Sequence, residues 1–340
     1  MDAKVRKLVY VNDAMPGIRR IRRGTGFAYR ACNGAWLRDA AEIQRIRRLA
    51  IPPAYEDVWI CPLANGHLQA TGRDARGRKQ YRYHPLWRQA SESEKFGRLV
   101  EFGESLPRLR VQVAKDLKAP GLSRNKLLAA LVRLLDTTLL RVGNDEYARS
   151  NGSYGLTTLR NSHVRISKGS LRLKFRGKSG VPHDIAVDDP HMARIVRRCR
   201  ELPGQLLFQY IDESGALHGI DSADVNGYLA EVSGPDFTAK DFRTWHGSAL
   251  ALELTGLACK KGADAFNAAT LLAEVAASLR NTPAVCRNAY LHPAILALWD
   301  ELGSGEARRV ANARRRLVAL RRVKPCSGLK ANEQRLLQFL

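Results

Sequence analysis

The chain has 340 residues, enough for two domains of ordinary size, and its 45% apolar and 26% charged residues exclude a disordered polypeptide. Fifty-six lysines and arginines against 33 acidic residues leave a formal charge of +23. So large a surplus repels itself unless a polyanion answers it, which makes nucleic acid the leading partner, ahead of ribosome association or an anionic membrane surface.

Residues 1–90 read as a small β-rich domain. Lys7–Val11, Gly26–Arg30, Val58–Cys61 and Leu68–Thr71 are short β-branched or aromatic runs punctuated by Gly, Asn and Asp. A helix is expected near Ala40–Leu49, stopped by Ile51-Pro52-Pro53. The basic turn Arg73–Lys79 feeds a further strand, Gln80–Tyr83, and His84-Pro85 with the polar stretch Gln89–Glu94 marks the boundary.

Residues 91–340 turn helical. Apolar residues recur at helical spacing across Arg124–Arg141, and helices are expected at 190–202, 222–232, 238–258, 264–280 and 283–303. Between them, 163–166, 171–175 and 184–187 predict three short strands turning at Gly169-Ser170 and Lys178–Gly180. The last 35 residues carry Arg308-Arg309, Arg314–Arg316 and Arg321-Arg322, an amphipathic basic helix facing solvent or DNA. The fold class is α+β: a small N-terminal antiparallel β-rich domain, then a larger, mainly α-helical domain with a small three-stranded sheet.

Other chemistries lack support in the sequence. No apolar run approaches the ~20 residues of a bilayer span, and the N-terminus has no signal-peptide core. Six scattered cysteines form no metal-binding pattern, and neither a GxxxxGK[S/T] loop nor HExxH occurs. A cytoplasmic, nucleoid-associated protein needing no cofactor, metal or nucleotide is therefore expected.

Four residues make a kit for breaking and resealing a phosphodiester: Tyr290, Arg141, Lys178 and Arg243. A phenol has a pKa near 10 and attacks phosphorus at neutral pH only if its developing charge is stabilised. Paired guanidiniums grip non-bridging phosphate oxygens and stay charged, while a lysine at a strand turn can protonate the leaving 5′-oxygen. Taken singly, each has a plainer reading. Tyr290 can be a core residue of a helix, Arg141 a helix cap, Lys178 a turn residue and Arg243 a surface charge.

Their motif context decides the matter. Ile51–Pro62 and Gly66–Pro85 resemble the N-terminal domain of the poxvirus-like type IB DNA topoisomerases of bacteria. Arg141–Tyr147, Tyr154–Leu159, Phe175–Lys178, Asp241–Arg243 and the Asn281–Pro293 run are similar to that family's catalytic domain, in the same order. The resemblance runs from about residue 7 to 303. It implies that Tyr290 is the nucleophile, that Arg141, Lys178 and Arg243 are catalytic, and that Arg78, Gln80, Tyr81, Tyr83 and Tyr147 contact DNA. It also implies a two-lobed monomer that clamps duplex DNA, single-strand cleavage through a 3′-phosphotyrosyl link and relaxation of supercoils without ATP.

Two departures stand out. Asn281 occupies the place of a histidine in viral and eukaryotic relatives; its amide can still donate a hydrogen bond to phosphate but cannot move a proton. Asn144 stands where the viral sequence is basic. On the strand, alternation puts Tyr81 and Tyr83 on one face, Gln80 and Arg82 on the other. Nothing in the sequence fixes the tyrosine segment against Arg141 and Arg243, so it is expected to be displaceable. His246, shortly after Arg243, invites comparison with tyrosine recombinases. That class and a non-catalytic basic DNA-binding protein are the alternative readings.

Overall fold

The structure, a computed structural model, describes residues 8–75, 77–234, 237–261, 265–322 and 326–340, without the side chains of residues 89 and 91–93. The chain forms two compact units, 1–97 and 98–340.

In the first unit, β1 (Ile18–Arg23), β2 (Gly26–Arg30), β3 (Glu56–Ile60), β4 (Leu68–Arg73) and β5 (Lys79–Tyr83) form one antiparallel sheet in the order β2-β1-β3-β4-β5. Helix α1 (Ala40–Arg48) begins where the Asp39 carboxylate accepts the Ala41 N–H at 2.9 Å, and it buries Ile46 with Ile18, Tyr29, Val58, Ile60 and Ala70. Strand β1 is absent from the sequence expectations because Ile-Arg-Arg-Ile-Arg-Arg reads as a charge run. Its inward Arg20 lays its stem over the core, with the guanidinium 4.1 Å from the Phe27 ring and donating to the Ile51 and Tyr55 carbonyls at 3.2 and 2.5 Å. The strand expected from residue 7 is instead a bridge between Val9 and Gly66, and Lys7 lies outside the described residues. Helix α2 (Pro85–Gly97) runs through the polar stretch at 89–94.

In the second unit, α3 (Leu99–Leu117), α4 (Arg124–Thr138) and α5 (Asp145–Asn151) precede the antiparallel sheet β6 (Val164–Ser167), β7 (Ser170–Arg176) and β8 (Pro182–Val187). Then come α6 (Pro190–Arg200), the short pair β9 (Gln209–Ile211) and β10 (Leu217–Gly219), α7 (Ser222–Ser233), α8 (Ala239–Lys261) and α9 (Ala268–Leu279). The chain ends with α10 (Pro283–Ala289), α11 (Pro293–Leu302), α12 (Ala307–Ala319) and α13 (Ala331–Phe339). Helix α8 is the central post: Phe242, Trp245, Ala249 and Leu252 are buried, and Phe102 of α3 meets Phe242 edge-on at 5.2 Å.

The single helix expected over 283–303 is two helices. Pro293 cannot donate a backbone N–H and pushes His292 out of helical geometry, so α10 ends at Tyr290 and α11 starts afresh with the His292 imidazole accepting the Ala294 N–H at 3.1 Å. The nucleophile candidate therefore sits at a helix break. The three strands at 163–187 form as expected.

Candidate active site

Arg243 is the hub. It projects from α8, is 4% exposed, and meets the carboxyl ends of two helices. Helix α4 closes at Leu139 and α9 at Arg280, both in left-handed backbone (φ 57° and 50°). Those turns leave the Leu139 and Leu279 carbonyls facing the guanidinium: Nη1 donates to Leu139 and Nη2 donates to Leu279 at 2.6 Å. The negative ends of the two helices thus hold a buried cation.

Two residues beyond Leu139 the chain presents Arg141, whose Nη2 donates to Asn281 Oδ1. Asn281 follows the left-handed Arg280 and is held by its own N–H bonding the Ala276 carbonyl at 2.9 Å. Thr282 then caps α10, its hydroxyl accepting the Val285 N–H at 3.3 Å.

Tyr290 is seated rather than displaced. Its N–H bonds the Cys286 carbonyl at 3.0 Å, and its carbonyl accepts the Ser248 hydroxyl at 3.2 Å. Ser248 also accepts the His292 N–H at 3.0 Å, so one buried hydroxyl of α8 fastens both sides of the helix break. The neighbouring residue of α8 must be small, because a Cβ on Gly247 would lie 3.2 Å from the Tyr290 carbonyl and 3.0 Å from Leu279. The Tyr290 ring centroid lies 4.9 Å from the Arg243 guanidinium carbon, a cation–π contact. Burial alone would raise the phenol pKa; the adjacent Arg243 guanidinium, reinforced by the charges of Arg141 and Lys240, outweighs it and holds the phenol below its ordinary value.

Two buried donors in this group are unpaired: Arg243 Nε and Asn281 Nδ2. Leaving a buried polar group unsatisfied costs about 1–3 kcal/mol, so each of these two donors stands to gain from an acceptor.

The structure thus joins Arg141 to Asn281 by a hydrogen bond and sets Arg243 against the Tyr290 ring, with the charges of both arginines reaching the phenol. Lys178 is not bonded to them. It lies exposed on the turn between β7 and β8, where Ser179 and Gly180 both take left-handed backbone (φ 63° and 76°). Asn144 has a structural task, its side chain accepting the Tyr147 N–H at 3.1 Å to cap α5, and Tyr147 stands 43% exposed on that helix. In the first unit, Arg78 Nε and Gln80 Nε2 both donate to Asp74 Oδ2, at 2.8 and 3.0 Å. Tyr81 and Tyr83 show stacked, exposed rings with centroids 6.1 Å apart.

His246 does not face Tyr290. Its Nε2 lies 2.9 Å from Asp136 Oδ1 and its Nδ1 3.6 Å from Glu333 Oε1. Asp136, His246 and Glu333 have the donor types of a metal site, with ligand atoms within 4.8 Å of one another. The guanidinium of Arg110 is the cation there, bidentate to Asp136 (2.9 and 2.9 Å) and to Glu333 (2.8 and 2.7 Å). Sequence reasoning also passed over Ser248, Arg280 and His183. For His183 a signal existed: alternation on β8 puts it inward with Ile185.

Two known domain families match this chain. The eukaryotic DNA topoisomerase I catalytic core matches residues 84–299, and the bacterial DNA topoisomerase IB N-terminal domain matches residues 26–74. DNA topoisomerase 1B of Acanthamoeba polyphaga mimivirus is 34% identical over 296 residues, covering 84% of this chain and 88% of the viral protein. DNA topoisomerase 1B of vaccinia virus (strain Copenhagen) is 29% identical over 133 residues, 39% of this chain and 42% of that protein. The chain belongs to the type IB DNA topoisomerases, enzymes whose substrate is DNA.

Proposed function

We propose that this enzyme relaxes supercoiled duplex DNA by cutting and resealing one strand through Tyr290. The phenol oxygen attacks the scissile phosphorus, its proton passing to solvent, and the P–O5′ bond breaks as the Lys178 ammonium gives a proton to the departing 5′-oxygen. The product is a 3′-phosphotyrosyl link and a free 5′-hydroxyl. After rotation about the intact strand the 5′-hydroxyl attacks the same phosphorus and releases Tyr290. The phosphotyrosine conserves the energy of the broken bond, so ATP is not needed. One tyrosine cuts one strand, so a monomer suffices.

The observation that carries this reading is the pair of unpaired buried donors, Arg243 Nε and Asn281 Nδ2, together with the Arg243 guanidinium 4.9 Å from the Tyr290 ring, whose charge holds the phenol pKa down. A phosphate seated there would take both donors while Arg141 neutralises a further oxygen. Asn281 supplies a hydrogen bond and no proton, leaving proton transfer to Lys178. The exposed Tyr81–Tyr83 pair, with Arg78 and Gln80 pinned by Asp74, and Tyr147 in the other unit, suit contacts to phosphates and base edges. On this reading the first unit is the DNA clamp and the second the catalytic domain.

The test is incubation with supercoiled plasmid in EDTA without nucleotide, followed by denaturant trapping of the protein–DNA adduct and mass-spectrometric mapping of the bonded residue. Relaxed plasmid and an adduct on Tyr290 are expected, both abolished by Tyr290→Phe. An adduct on another residue, or full relaxation by the Phe variant, overturns the mechanism.

A further inference from the structure

One titratable group in the catalytic unit has no part in the scheme above. His183, on β8, pairs across the sheet with Phe175 and is 5% exposed. The two rings stack almost in parallel, with centroids 4.7 Å apart and planes 1° apart. Two residues after Phe175 comes Gly177, then Lys178. A Cβ built on Gly177 would lie 2.3 Å from His183 Nε2 and 2.6 Å from its Cδ2, so the imidazole edge occupies the space a side chain at 177 would need. Gly177 has φ −90°, which any residue adopts, so closeness to the ring and not backbone freedom is what demands glycine. The ring is thus wedged between Phe175 and the first residue of the turn, which itself closes through Gly177 N–H to the Val181 carbonyl at 2.8 Å.

We propose that His183 is a positioning residue: its ring props the Gly177–Lys178 turn and so aims the Lys178 ammonium at the leaving 5′-oxygen. The inference rests on the reading of Lys178 as the general acid. Two further features suit the role. His183 Nδ1 is buried without a hydrogen-bond partner, so the ring is held by packing and stacking at that edge. Burial, then the charges of Arg280, Arg141 and Arg243, push the imidazole down to about 4, so it stays neutral at working pH and adds no fourth positive charge to that cluster.

The experiment measures single-turnover cleavage on two DNAs that differ only in the scissile 5′-atom, oxygen or sulphur. A thiolate departs without a proton, so a badly aimed Lys178 costs nothing on the sulphur substrate. His183→Ala is expected to slow the oxygen substrate about 100-fold, the usual effect of an ångström-scale misplacement, and the sulphur substrate by less than about threefold. Gly177→Ala, whose methyl collides with the imidazole, is expected to show the same pattern. The double variant Gly177→Ala/His183→Ala, in which the methyl partly refills the vacated space, is expected to recover about tenfold over either single variant. The oxygen-to-sulphur ratio is internal to each variant, so a partly unfolded preparation does not imitate the result. Equal slowing of His183→Ala on both substrates, undiminished cleavage of the oxygen substrate, or a double variant no faster than the singles overturns the proposal. Lys178→Ala separates its failure from that of the general-acid reading. Should sulphur rescue Lys178→Ala but not His183→Ala, the positioning role alone is wrong; if sulphur rescues neither, the role of Lys178 falls too.

Discussion

Asn281 uses its two ends differently. Its Oδ1 accepts from Arg141, fixing the amide plane, and its Nδ2 is left buried and unpaired. A histidine in the same place could donate one hydrogen bond, but only the amide pairs that donor with a permanent acceptor for Arg141. Asn281→Ala removes both, and losing one donor to a developing oxyanion typically costs 10²–10³ in rate, so covalent adduct formation should slow by about that factor. Asn281→Asp should be slower still, because it keeps the Arg141 partner but sets a negative charge against the phosphate. Single-turnover adduct formation reads both; an Ala variant at wild-type speed would remove Asn281 from the mechanism. The sequence singled out Tyr290, Arg141, Arg243 and Asn281 because Arg141 and Arg243 stand in separate local motifs and Asn281 and Tyr290 share a third. What holds Arg243 was not legible. Its carbonyl partners are exposed by left-handed turns at Leu139 and Arg280, and neither position carries the glycine that flags such a turn.

The break between α10 and α11 decides where the tyrosine points. Pro293 stood in the sequence, yet the apolar spacing on either side reads as one continuous helix, and spacing won over punctuation. Strand β1 was lost for the opposite reason, since four arginines in six residues hide a two-residue alternation whose inward Arg20 is satisfied only by distant carbonyls. At the break, Ser248 gives one hydrogen bond to the Tyr290 carbonyl and takes one from the His292 N–H. Ser248→Ala leaves both backbone groups without that partner, which should cost about 1–3 kcal/mol. In a unit of this size that corresponds to a fall in Tm of roughly 2–12 °C. Loosening the break should also slow adduct formation at temperatures where the variant is fully folded. A calorimetric scan paired with the cleavage assay separates the effects: a lowered Tm with unchanged cleavage would show that α8 stabilises the break without orienting the nucleophile.

Across the whole second unit, the last helix is built into the support of the first. Glu333 of α13 is fully buried and meets Arg110 of α3, 223 residues earlier in the chain, while Asp136 of α4 joins Arg110 to His246 of α8. Asp136 lies one turn before Leu139 and His246 one turn after Arg243, so the cluster fastens α8 to α4 beside the place where Arg243 does the same. No local pattern foretells such a cluster, because its members are dispersed among helices whose apolar spacing alone looks sufficient. For Asp136, burial would raise the carboxyl, but hydrogen bonds from His246 and Arg110 prevail and hold it well below its ordinary 3.8. For Glu333, burial is likewise outweighed by Arg110 and the Lys330 N–H, and the carboxyl lies below its ordinary 4.5. The native state therefore binds fewer protons than the unfolded chain once the pH drops below the ordinary carboxylate range. The cluster's contribution is complete above about pH 5 and lost progressively as acidity rises towards the folded pKa values. Glu333→Ala leaves the Arg110 guanidinium without one of its two carboxylates and should destabilise the unit by about 3–5 kcal/mol at neutral pH, a Tm loss of roughly 6–20 °C. Because the variant lacks one of the depressed carboxyls, its stability should also fall less steeply than the wild type's between pH 5 and 3. Denaturant unfolding across that range measures both quantities, and parallel slopes for the two proteins would show that Glu333 is not among the groups that take up protons on unfolding.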